Sequence, residues 1–145
     1  MILLPPALRF QLRANAIARR AAQRDGRAEP DALPVLKLFN PIGAATWLAT
    51  ELDADDDTLF GLADLGFGCP ELGPFSLREI TSVRLPYGLG IERDLGFTTT
   101  HRLATWAAWA RRSGSIILAE TLLRRAATPP AIDPDPDNPD PDPAA

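Results

Sequence analysis

Four carboxylates spaced through apolar segments, Glu51, Asp64, Glu92 and Asp94, are the residues of this chain best suited to chemistry. Brought together across neighbouring strands, they would bind a hard divalent metal, or divide into acid and base once their pKa values were driven apart. Polar residues alternating with apolar ones are also what a half-exposed sheet face displays. A second carboxylate group, Asp53, Asp55, Asp57 and Asp64, copies the ligand spacing of a calcium loop. That loop needs glycine at its sharp turn and a bidentate glutamate at its end. Thr58 and Asp64 stand there instead, so the run Asp53, Asp55, Asp56, Asp57 reads as a solvated acidic turn.

The third candidate is Gly68-Cys69-Pro70-Glu71-Leu72-Gly73. A cysteine nucleophile needs a base, usually imidazole, to make the thiolate. The single histidine, His101, lies far along the chain with no supporting motif, and the segment reads as a turn shaped by Pro70 and its glycines. One cysteine and one histidine exclude an internal disulfide and any site built from several thiolates or imidazoles. Gly61, Gly66 and Gly68 are followed by no Gly-Lys-Ser/Thr ending, so no phosphate loop is present. No cofactor is expected.

Charge is segregated along the chain. Residues 1–27 carry six arginines against Asp25, residues 28–101 carry four basic against twelve acidic side chains, and residues 102–125 carry five arginines against Glu120. On a helical wheel Arg9, Arg13, Arg20 and Arg24 fall in one narrow sector, with Phe10, Ala14, Ile17, Ala18 and Ala21 in the next. Such a ridge suits a phosphate backbone or an acidic protein surface. Strong positive charge over a whole domain, the usual mark of nucleic-acid binding, is missing, since the −4 of the whole chain includes five aspartates after residue 125 and the body before them is about neutral at +1.

The elements that must position these groups follow from punctuation and period. Pro5-Pro6 opens a helix that Asp25-Gly26 ends. Val35–Phe39, Thr46–Leu52, Leu59–Leu65 and Ile91–Phe97 read as strands, with Trp47, Ala49 and Glu51 on one face of the second and Leu48, Thr50 and Leu52 on the other. Short connections favour an antiparallel meander. Ser76-Leu77-Arg78-Glu79 is a capping-box pattern that starts a short helix. Arg102–Ser113 is helical, with Trp106 and Trp109 on its apolar side and Gly114 as its stop. Ser115–Ala127 is a helix, although Ile116-Ile117-Leu118 also suits a strand. The expected fold is α+β: an N-terminal helix, an antiparallel sheet of about four strands, and two or three further helices. Residues 1–128 form one domain by length. Residues 129–145, rich in Asp-Pro, are expected to be a disordered acidic tail.

No apolar stretch reaches the length of a membrane span, and Met1–Pro6 is too short for a signal peptide. A cytoplasmic protein without membrane contact is the expectation.

Five segments in order, Pro34–Phe39, Ala45–Asp53, Phe60–Gly66, Cys69–Gly73 and Gly90–Asp94, resemble a bacterial family known as domain of unknown function 2958. The resemblance implies a small cytoplasmic protein associated with conjugative plasmids, phages and other mobile elements. It carries no catalytic residue with it. The favoured reading is a binding or accessory protein that contacts an unidentified protein partner through Arg9, Arg13, Arg20 and Arg24 and through Asp53, Asp55, Asp56 and Asp57. Nucleic-acid binding by the ridge, and a metal-dependent enzyme built on Glu51, Asp64, Glu92 and Asp94, are the alternatives.

Overall fold

A computed structural model describes residues 1–127, and the Asp-Pro segment expected to be a tail lies outside the described residues. Helix α1 (Pro6–Arg24) leads into strands β1 (Leu36–Phe39), β2 (Thr46–Leu52), β3 (Thr58–Asp64) and β4 (Glu71–Ser76). Helix α2 (Leu77–Ser82), strand β5 (Glu92–Arg93) and helices α3 (Leu103–Ser113) and α4 (Ile116–Ala127) follow. The sheet has the order β4-β3-β2-β1-β5, and all its pairings are antiparallel. This is an α+β fold with an N-terminal helix, a five-stranded antiparallel sheet and three further helices.

The sheet is one strand richer than the sequence suggested. Glu71–Ser76, expected to carry only the end of a turn and a helix cap, pairs with β3 as an edge strand. Pro74 is tolerated there because an edge strand has one side with no ladder to feed. The expected fourth strand over Ile91–Phe97 shrinks to Glu92–Arg93, because Asp94 turns the chain and accepts from the Gly96 amide. Ile116–Ala127 is helical, with the Ser115 hydroxyl accepting from the Leu118 amide at 3.0 Å. Ser76 caps α2 as expected, accepting from the Glu79 amide, and Gly114 ends α3 in the left-handed region.

Two cores sandwich the sheet. Leu12 from α1 and Ile80 from α2 pack with Leu36, Leu38, Trp47, Ala49, Leu52 and Leu59. Leu48 and Leu62 instead pack with Trp106, Ala107 and Ala110 of α3 and Ile116 and Ala119 of α4. Strict alternation along β2 fails at Thr50, where the register to β3 shifts between Ala49 and Glu51. The bulge places Leu52 in the same core as Trp47 and Ala49, which alternation had put on opposite faces.

Close approach of β2 and β3 next to this bulge demands glycine. A Cβ added at Gly61 would sit 1.8 Å from the Leu48 carbonyl oxygen. Gly61→Ala therefore requires the two central strands to separate, and should cost about 3 kcal/mol or more in urea unfolding; near-wild-type stability would contradict that packing.

Candidate interaction surface

Helix α1 lies against β2 where β1 no longer covers it. The last β1 rung pairs Leu36 with Ala49, while β2 runs on to Leu52. Beyond that rung the helix supplies donors: Asn15 Nδ2 reaches the Thr50 carbonyl at 2.9 Å, and Arg13 Nη1 reaches the Leu52 carbonyl at 2.8 Å. Arg19 Nε donates to both oxygens of Glu51, at 2.8 and 2.9 Å. The Glu51 carboxylate holds the Arg19 guanidinium above its ordinary value, mainly through that hydrogen bond. Leu12 and Ala16, almost wholly buried, pack between these polar contacts.

The acidic loop joining β2 to β3 meets the same helix. Arg9 pairs with Asp56 at 2.7 Å, and Arg20 pairs with Asp53. Among the described residues Arg24 pairs only with its neighbour Asp25, at 3.5 Å. The ridge and the loop, read from sequence as two separate contact regions, thus lie against each other. Asp55 turns back on its own loop, accepting from Thr58 Oγ1 at 2.6 Å and from the amides of Thr58 and Asp57. The Asp57 carboxylate accepts from Ser76 Oγ and the Arg78 amide, tying the loop to the start of α2.

Of the carboxylates proposed as a metal or acid–base set, Glu51, Asp64 and Asp94 are each engaged elsewhere. Glu51 faces Arg19. Asp64 is buried and accepts from the Gly66 amide at 2.8 Å and the Ile116 amide at 3.0 Å, bracing the β3–β4 turn against the start of α4. Asp94 lies 3.5 Å from Lys37, whose Nζ also donates to Glu120 at 2.7 Å. Glu92 sits half-buried on β5, opposite Phe39. Among the described residues no group of three His, Cys, Asp or Glu side chains could hold a metal ion. Asp64, the last position of the calcium-like spacing, serves α4, not the acidic loop. Cys69 is an exposed free thiol.

With its polar flank turned toward β2, α1 shows its apolar sector to solvent. Phe10 is 74% exposed and Ile17 57%. Ala14, Ala18 and Ala21 lie on the same side at helical spacing. The sequence reading overlooked Arg19, Asn15, Lys37 and Glu120. Arg19 lies on the wheel beside Leu8 and Leu12, and that position inside the inward face was the available signal.

Glu51→Gln keeps the volume but leaves Arg19 without its anion. Because Arg19 keeps 31% of its side chain exposed, the expected loss is about 2 kcal/mol, below the range for fully buried pairs. Urea unfolding measures it, and an unchanged midpoint would show the pair to be idle. For Asp55, Thr58 Oγ1 and then the loop amides lower the carboxyl from 3.8 to about 2. A depressed folded value means the ionised loop contacts are fully present above about pH 3.8 and are lost as pH falls towards 2. Carboxyl-detected NMR should place the Asp55 midpoint there, and Thr58→Val should return it towards the ordinary value.

No curated protein and no solved structure matches the chain. A family model described as protein of unknown function (DUF2958) matches residues 3–117. The match takes in α1, the whole sheet, α2 and α3, and the chain belongs to that family.

Proposed function

We propose that the chain is a binding protein that acts by contact with another protein, and that the solvent-facing stripe of α1 is the surface the partner covers. The observation that supports this is the exposure of Phe10 and Ile17, a turn-spaced pair on a helix that spends its other side on β2. Scattered exposed apolar residues are ordinary, but a helical row of them is the shape that helix-in-groove recognition uses. A large aromatic side chain such as Phe10 is the usual kind of anchor in such contacts. Arg13, Arg20 and Arg24 border the row, with the acidic loop behind them. Partner charges would meet both signs on this rim.

The same geometry weighs against a phosphate-binding ridge. Arg9 and Arg20 face aspartates of the chain itself, so half of the ridge is already neutralised. A cytoplasmic accessory role beside mobile DNA is the setting that the family resemblance suggests, and it forms part of this proposal.

A photo-crosslinking residue placed at Phe10 should yield one defined protein adduct in the cells that encode the chain. The same residue at Tyr87, 93% exposed in the Pro86–Gly88 turn, should not. Phe10→Asp with Ile17→Asp should abolish the adduct from a crosslinker at Ala14 while shifting stability by no more than about 0.5 kcal/mol, since both sites are exposed. Identical adducts from Phe10 and Tyr87 would defeat the reading.

A further inference from the structure

On the opposite side of the sheet from α1, a cleft of about 350 Å³ opens between the β5–α3 connection and α4. We propose that it binds a neutral polyhydroxylated ring, a sugar of pyranose size. That volume is at the lower end of the range for ligand pockets. One six-membered ring with its hydroxyls fits within it.

The electrostatics of the cleft select against ions. Its two carboxylates, Asp94 and Glu120, are bridged by Lys37, and Glu120 is further held by Arg124 at 2.6 Å. A cationic ligand would compete with two resident cations, and an anionic one would face two carboxylates. What remains is unused acceptor capacity. Glu120 gives one oxygen to Arg124 and the other to Lys37, while Asp94 gives one to the Gly96 amide and turns the other to Lys37. Each carboxylate oxygen has two acceptor sites, so each keeps one for an incoming O–H.

The connecting loop supplies the complementary groups. Among the described residues, the hydroxyls of Thr98 and Thr100 and the imidazole of His101 make no hydrogen bond, whereas Thr99 is occupied by Trp106 Nε1 and the His101 amide. These three side chains line the cleft and can donate as well as accept. Phe97, half-buried with its ring centroid 6.2 Å from that of Trp106, offers an aromatic surface at the same place. A pyranose has a ring of hydroxyl donors around a face of C–H groups, and C–H groups are drawn to the negative face of an aromatic ring. Donor-rich, uncharged and apolar on one face is the description that these lining groups jointly impose.

The test uses the full chain and saturation-transfer NMR with the methyl α-pyranosides of glucose, galactose and mannose, beside glucuronate and glucosamine as charged probes. At least one neutral glycoside should bind with a Kd of about 1 mM or tighter, and should shift the amides of Phe97, Thr98, Thr100 and His101. Thr100→Val, an exposed change that leaves the core intact, should weaken that binding about tenfold with an unaltered melting temperature. Binding of either charged probe as tightly as the best neutral glycoside, or the lack of any saturable neutral ligand, overturns the proposal.

Discussion

β2 outlasts its neighbour β1, and the orientation of α1 depends on that mismatch. Past the Leu36–Ala49 rung the carbonyls of Thr50 and Leu52 need donors, and leaving such groups unmade in a part-buried setting costs about 1–3 kcal/mol each. A third strand residue could have met them, but α1 does so with Asn15 and Arg13. The helix must therefore turn its polar flank inward, with Leu12 and Ala16 closing the core beside it. Its apolar sector has nowhere to go but outward. Exposure of Phe10 and Ile17 is thus a consequence of backbone hydrogen bonding.

The same rotation settles where the charges go. Arg9 and Arg20 come to rest over the β2–β3 loop, and that loop turns through Asp56 at φ 60°. Solvent-exposed pairs of this kind contribute about 0–1 kcal/mol each, so they orient the loop more than they stabilise the fold. Arg19 and Glu51 differ in degree. Glu51 is nearly buried beside the bulge at Thr50, and once there it cannot remain without a cation. The bulge, the ion pair and the helix rotation form one linked arrangement.

Helix starts and stops were legible because they rest on local chemistry: Ser76 capping α2, Gly114 in the left-handed region, and prolines opening α1. The meander was legible from short polar connections between apolar runs. Strand β4 was not, because glycine and proline within Glu71–Ser76 read as a turn until the pairing with β3 is known. Convergence of Glu51, Asp64, Glu92 and Asp94 was equally beyond local pattern. It hinges on register and on what covers each strand face: Glu51 meets Arg19 of α1, while Asp64 goes to the start of α4. The arginine ridge was legible as a row but not as to what it faces, since wheels carry no information about strand lengths.

The exposed row on α1 and the cleft beside α4 lie on opposite faces of one sheet, and different polar residues hold each in place. On the α1 side the work falls to Asn15, Arg13 and the Arg19–Glu51 pair. On the α4 side it falls to Asp64, which accepts from the Ile116 amide, and to Lys37, which ties β1 to Asp94 and Glu120. Lys37 and Leu38 are adjacent on β1, so one short strand sends Leu38 into the core beneath α1 and Lys37 to the carboxylates that line the cleft. Any movement of β1 against β2 would be felt on both faces at once. A partner gripping α1 pulls on β2 through the Thr50 and Leu52 carbonyls, and β2 is paired to β1 through four rungs. Strain on β2 reaches the far face through this strand pair and also directly through Leu48, which packs with α3 and α4.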